Sequence, residues 1–376
     1  MKKIFVVSAV LAAALLTSPR VGAVTVFEDK ANDRSLAVGV LLQPQVQTTE
    51  DGAPNGQDFG TDFFLRRARL YVAGEVLKGL TFFFQTDQPN WGKGGNFTVP
   101  FYVQDAFISY QVDRALTVDS GFFLVPLEHQ TLEGTATLHP IDYHGAVILF
   151  PATFGILFRD LGLEARGLLL NDRIHYRLAV LAGTRGPDIP TGAAAGTPDL
   201  NPDAEPRFTG QLRFNLYGVE DKFLFNGIYF SDTPMISVGI GGDFQRNSVR
   251  TPTGVADYGV VSGDLFFEYP LSADEEVILK GDVADWREGS GSASTGVTAW
   301  GEAGFRIAWI EPLVGADWFH AEQGLKDYTA IRPGLNFWLR RHTFNIKAEA
   351  AWTSTHTPST GTDRAFVATL QGQVFF

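Results

Sequence analysis

Apolar and polar residues alternate one by one along nearly all of the chain after Ser35. In Arg207-Phe-Thr-Gly-Gln-Leu-Arg-Phe-Asn-Leu216, Phe208, Gly210, Leu212, Phe214 and Leu216 share one face. Arg207, Thr209, Gln211, Arg213 and Asn215 share the other. A period of two belongs to a β-strand whose faces meet different media. The stretches His342 to Trp352 and Trp300 to Trp309 repeat it, and the helical period of 3.6 is almost absent. The alternation predicts strands over 35–48, 62–76, 78–88, 100–113, 115–125, 155–170, 173–184 and 206–217. It continues over 235–248, 256–270, 275–288, 298–310, 311–323, 326–341, 342–355 and 363–376. That makes sixteen strands, or eighteen if 218–234 holds a further hairpin. Most run 11–16 residues, against five or six in a typical globular sheet. A tilted strand needs about 9–11 residues to cross the hydrocarbon layer. The expected fold is all-β: a transmembrane antiparallel up-and-down β-barrel over 35–376.

The connections support this independently. Links after the even-numbered strands are mostly tight, whereas 49–61, 89–99, 126–154 and 185–205 are long and, for the most part, rich in Gly, Pro, Asp and Asn. Sorting of loops by parity is the signature of a barrel with one periplasmic end and one outer end. The segment 218–234 is the exception, long where a tight turn is expected.

Before the barrel, Met1-Lys2-Lys3, the apolar run Ile4 to Leu16 and the small residues Val21-Gly22-Ala23 have the layout of a secretory signal peptide. The apolar run is shorter than the roughly 20 residues a spanning helix needs. A signal peptide over 1–23 and a short periplasmic segment over 24–34 are therefore expected. The chain has no Cys, which excludes disulfides and thiolate zinc sites, and a net charge of −12, which argues against nucleic acid as a partner.

If the apolar faces meet outer-membrane lipid, the polar faces line a lumen. The inward set comprises Arg67, Arg69, Asp105, Glu164, Arg166, Arg177, Arg207, Arg213, Asp264, Lys280, Asp282, Glu302, Arg306, Arg332, Arg340, Lys347 and Glu349. Arginine predominates, and arginine stays charged in any surroundings. A surplus of arginine in a water-filled passage favours anions. The bland alternative is that these charges pair with one another and only keep the lumen wet. The connection 126–154 is too apolar for an exposed loop of its length and carries Glu128, His129, Glu133, His139, Asp142 and His144. It is expected to fold into the pore as a constriction loop carrying Glu128, His129, His139 and His144. The spacing of these residues matches no compact metal motif, and no cofactor is implied.

The chain contains no G-x-S-x-G, H-E-x-x-H, P-loop or dinucleotide fingerprint. The stretches "FFLRRARLYVAGEV" (Phe63 to Val76), "TFFFQTD", "VQDAFISY" (Val103 to Tyr110), "GFFLVPLE", "FRDLGLEARG" (Phe158 to Gly167) and "FNGIYFSDTPMISVGIGGDFQ" resemble the phosphate-selective porin O and P family. The resemblance implies a sixteen-stranded outer-membrane barrel, usually a homotrimer, passing phosphate or other small anions through an Arg-lined constriction. It assigns a pore role to Arg67 and Arg69; Arg66, in the opposite phase, is expected at the outer rim. The dense R-x-R-x-R ladder of the best-known members has no counterpart here, Arg207 and Arg213 coming nearest.

The expected function is a passive porin of the bacterial outer membrane, not an enzyme. Its alternatives are a general diffusion porin without anion preference, an outer-membrane barrel enzyme and, on a level with the enzyme, a soluble secreted β-protein. The chain closes on "ATLQGQVFF", with Phe366, Ala368, Leu370, Val374 and Phe376 expected on the lipid face and Thr369, Gln371 and Gln373 on the lumen face. Phe376 is expected to serve as a signal for the barrel insertion machinery.

Overall fold

The computed structural model describes residues 23–145, 158–184, 200–251, 254–289, 292 and 294–376. Residues 1–22 of the expected leader and 146–154 of the expected infolded loop lie outside the described residues. Among these residues seventeen strands follow one another: β1 (Val24–Asp29), β2 (Arg34–Thr49), β3 (Gly60–Leu77), β4 (Leu80–Asp87), β5 (Tyr102–Gln111) and β6 (Thr117–Leu124). Then come β7 (Arg159–Leu169), β8 (Ile174–Leu181), β9 (Arg207–Tyr217), β10 (Met235–Thr251), β11 (Gly254–Pro270) and β12 (Glu275–Arg287). The last five are β13 (Gly296–Ile307), β14 (Ile310–Ala321), β15 (Asp327–His342), β16 (Phe344–Thr357) and β17 (Gly361–Phe375). From β2 onward each strand pairs antiparallel with the next, and β17 pairs back onto β2. The result is a closed barrel of sixteen strands, matching the alternation strand for strand. The stretch 218–234 forms no strand, so the eighteen-strand variant does not arise.

The alternation sorts side chains as a lipid-embedded wall requires. On β9, Phe208, Leu212, Phe214 and Leu216 point outward, while Arg207, Gln211, Arg213 and Asn215 are buried inside. Leu161, Leu163, Leu178, Ile240 and Val261 extend the outer apolar belt. On β17, Leu370 and Val374 are exposed outward, as is Phe376 just past its end, whereas Gln371 and Gln373 are buried. The inner Gln ladder continues across the closing seam, Gln45 donating to Gln371 at 2.8 Å and Gln43 to Gln373 at 2.8 Å.

The seam itself has two tenants. β17 covers the outer part of one edge of β2, from Thr49↔Val367 to Leu41↔Phe375. The short β1, in the stretch expected only as a periplasmic segment, takes over the same edge from Val38 to Arg34. Between them Val40 and Phe376 exchange backbone hydrogen bonds of 2.7 and 3.1 Å. A Cβ on Gly39 would lie 2.4 Å from the Phe376 carbonyl oxygen and 3.3 Å from the Ala23 Cα. Only a glycine lets both tenants reach β2 here. Phe375 turns inward and meets Tyr71 at 5.8 Å, so the two terminal rings face opposite media.

This close approach yields a test. Gly39→Val should destabilise the barrel by roughly 1–3 kcal/mol, the usual cost of overpacking. The fraction of unboiled protein migrating as the compact band in detergent gels, and its urea midpoint, should both fall.

Candidate functional site

The inner wall is polarised around its circumference. Arginines cluster on β3 and β7–β9: Arg67, Arg69, Arg159, Arg166, Arg177, Arg207 and Arg213, all buried. Farther round the wall, β11–β14 present the buried carboxylates Asp264, Asp282, Glu302, Glu311 and Asp317, with Lys280 among them. Most arginines are matched locally. Arg69 meets Asp87 at 2.8 Å, Arg159 meets Asp105 at 2.9 Å and Arg166 meets Asp119 at 2.6 Å. Arg207 pairs with Asp243, and Arg213 with Asp264. Farther round, Arg306 reaches Glu276 at 2.9 Å and Arg332 reaches Glu349 at 2.9 Å. Removing one partner of a buried pair strands the other charge.

The described part of the β6–β7 connection lies across this wall. Its Asp142 faces the arginine side and accepts from Arg66 at 2.6 Å and from Arg67 at 2.5 Å. Its histidines face carboxylates. His144 bridges Asp317 (3.1 Å) and Glu302 (2.9 Å), and its ring stacks on Trp300 at 4.5 Å. His139 lies 3.0 Å from Glu302 in a hydrogen bond and 3.0 Å from Glu311 in an ion pair. His129 bridges Glu133 and Glu220, both at 2.8 Å. Lys280 joins Glu133 to Glu302 at 2.7 Å on each side. Burial works to lower the His139 and His144 imidazoles, but the facing carboxylates outweigh it and hold both above the ordinary value.

Wall side chains also fasten the loop backbone. Lys347 gathers the carbonyls of Leu138, His139 and Pro140, and Asn336 donates to His139 O at 2.9 Å. Arg332 donates to the carbonyls of Asp142 (3.0 Å) and Tyr143 (3.1 Å). Gly304 and Gly315 make sockets for rings: a Cβ there would come within 2.6 Å of His139 and 2.8 Å of His144.

A second segment fills the lumen from the other end. The β9–β10 connection, 218–234, joins the short-turn side of the barrel, yet its Phe223, Phe225 and Ile228 are buried inside. Phe225 exchanges backbone hydrogen bonds with the loop, Phe225 N to Leu132 O at 2.9 Å and Gly134 N to Phe225 O at 3.0 Å. Arg177 donates to the carbonyls of Lys222 and Phe223 at 2.8 and 2.6 Å.

The expected inward residues Arg67, Arg69, Asp105, Arg166, Arg177, Arg207, Arg213, Lys280, Arg332 and Lys347 are thus buried on the inner face, as are Glu128, His129, His139 and His144. Arg306 is partly buried and Arg340 is exposed near the short β15–β16 turn. Arg66 corrects the expectation of an outer-rim position. The β2–β3 register steps from Gln43↔Arg67 to Pro44↔Leu65, a bulge that leaves Arg66 without a partner on β2. The phase of β3 changes there, Phe64 and Arg67 both turning inward, and Arg66 reaches Asp142 inside. Strict alternation contains no sign of this, although Pro44, which has no N–H to give, marks a place where a ladder breaks. Arg159 and Glu220 escaped sequence reasoning because the first sits at a strand start after the left-handed Phe158 (φ 64°) and the second in a loop. Among the described residues no group of His, Asp and Glu has a metal-holding geometry.

No family model matches the chain, and no curated protein matches it. Solved structures do share its fold. The anion-selective porin from Comamonas acidovorans aligns with a TM-score of 0.60 at 11% identity, over 91% of this chain and 100% of that one. The outer membrane channel DcaP of Acinetobacter baumannii aligns with a TM-score of 0.60 at 8% identity, over 93% and 99%. Salmonella typhi OmpF, in complex with daunomycin, gives 0.59 at 12% identity, over 92% and 100%. The chain therefore has the sixteen-stranded porin fold. With its apolar outer belt, that fold belongs to the bacterial outer membrane.

The carboxylate of Asp142 neutralises two guanidiniums at once. Asp142→Asn should cost about 1.5–3 kcal/mol, the scale of hydrogen bonds to a charged group, because the carboxylate is partly exposed. Urea unfolding should report this loss, and protease should cut the undocked loop in the otherwise intact barrel.

Proposed function

We propose that the protein is an outer-membrane porin that passes small anions, phosphate among them, by passive diffusion without covalent chemistry. The observation that carries this reading is the cluster of inward arginines on β3 and β7–β9 inside a closed sixteen-stranded barrel. Such a face lowers the energy of an anion passing close to it and raises that of a cation. The anion-selective porin of Comamonas acidovorans, similar in fold, supports the same direction. With this function go a leader over 1–23 removed on export, insertion machinery that reads Phe376, assembly as a homotrimer, and a constriction built on Glu128, His129, His139 and His144.

One observation favours a second reading, a general diffusion porin without anion preference. Arg69, Arg159, Arg166 and Arg207 each have a wall carboxylate of their own. Reversal potentials across planar bilayers in a salt gradient separate the two. An anion-selective potential, lowered on the order of twofold in permeability ratio by the double variant Arg69→Gln/Arg166→Gln, supports the first. A potential near zero that the variant leaves unchanged supports the second, and a cation-selective one overturns the arginine argument. Phosphate added as a competitor of chloride current tests phosphate itself.

A further inference from the structure

In an up-and-down barrel the short-turn end needs only enough residues to reverse the chain, yet 218–234 enters the lumen there and meets the infolded loop. Phe223 packs on Phe107 at 4.3 Å. Tyr229 N and Ser231 N donate to Glu268 at 2.6 and 2.7 Å, and His342 donates to Ile228 O at 2.9 Å. Three backbone hydrogen bonds join this segment to the loop, the third from Gly227 N to Thr137 O at 3.0 Å. Through these bonds the two segments join inside the lumen.

One side chain ties the two segments together. The His129 ring lies between Phe225 of the segment (5.1 Å) and Phe266 of β11 (4.7 Å), nearly parallel to both. One ring nitrogen meets Glu133 of the loop and the other meets Glu220 of the segment. A neutral imidazole donates from one nitrogen only, so two ionised carboxylates at 2.8 Å call for the doubly protonated cation. Charged and titratable groups surround it on every packed element. Lys280 of β12 binds Glu133, and Arg213 of β9 and Tyr229 of the segment bind Glu220. Asp264 of β11 accepts from His129 N at 3.3 Å, and His175 of β8 meets the edge of Phe225 at 5.8 Å.

We propose that residues 218–234 are a gate at the periplasmic mouth, latched to the infolded loop by the His129 imidazolium, and that the passage conducts freely only once this latch is undone. The gate rests on the porin reading above. Burial acts to lower the His129 imidazole, and Glu220 and Glu133 outweigh it, so the docked value lies above that of free histidine. The latch is therefore complete below the free-histidine value of about 6.5 and weakens as pH rises through the higher docked value. Deprotonation turns a lone pair toward a carboxylate and parts the segment from the loop. The gate opens on the alkaline side.

The test uses the full chain in planar bilayers. Wild-type conductance should rise severalfold from neutral pH to about pH 9. A variant in which 221–231 is replaced by a short Gly/Asn turn should conduct severalfold more at neutral pH and show no such rise. The chain has no native Cys, so the pair Glu133→Cys/Phe225→Cys, at bridged positions, can be locked by oxidation. The oxidised pair should stay closed at every pH, and the same protein should conduct once reduced. Equal conductance of the shortened variant and wild type, or of the oxidised and reduced pair, overturns the gate and leaves the porin reading standing. Absence of conductance from every form, the shortened one included, overturns both.

Discussion

Hydrocarbon offers no hydrogen-bond partner to a backbone amide, and every feature of this wall answers to that constraint. A strand edge left open would expose a row of N–H and C=O groups to lipid, so the sheet must close. Here closure falls on one edge of β2, shared by β17 and β1, with Gly39 leaving room for the Phe376 carbonyl. The strand lengths and the outward apolar belt are consequences of the same requirement.

Once the ring is closed, the enclosed polar faces create a second problem. Charges taken from water need partners, and the wall supplies many of them between neighbouring strands, as in Arg69–Asp87 and Arg166–Asp119. The remainder are matched by segments that fold inward. The loop sets Asp142 against Arg66 and Arg67, and His139 and His144 against Glu302, Glu311 and Asp317. The β9–β10 segment is placed differently, by backbone carbonyls held on Arg177 and by aromatic packing around Phe107. Two insertions from opposite ends thus meet inside a passage whose walls pair many of their own charges.

How legible this was follows from the range of each interaction. Strands were legible because a period of two is a local property that lipid on one side and water on the other enforce at every position. The inward side of Arg166, Arg177, Arg207 and Arg213 followed from phase alone. Phase failed at Arg66, where the bulge opposite Pro44 turned a residue expected at the rim toward Asp142. It also gave nothing for Glu220, which belongs to no strand. The stretch 218–234 stood out only as a connection too long for its end of the barrel.

By itself, then, the sequence determined an up-and-down barrel of sixteen or eighteen strands, its lipid and lumen faces and the apolar character of the long loop. Each of these is written in nearest-neighbour alternation or in local composition. Only the tertiary structure decided which arginine meets which carboxylate, that β1 shares the seam with β17, and that loop and β9–β10 segment join at His129. Those contacts link residues far apart in the chain, as Glu220 is from His129 and Asp142 from Arg67. No periodicity records such pairs, because their partners are set by where the closed ring brings distant strands together.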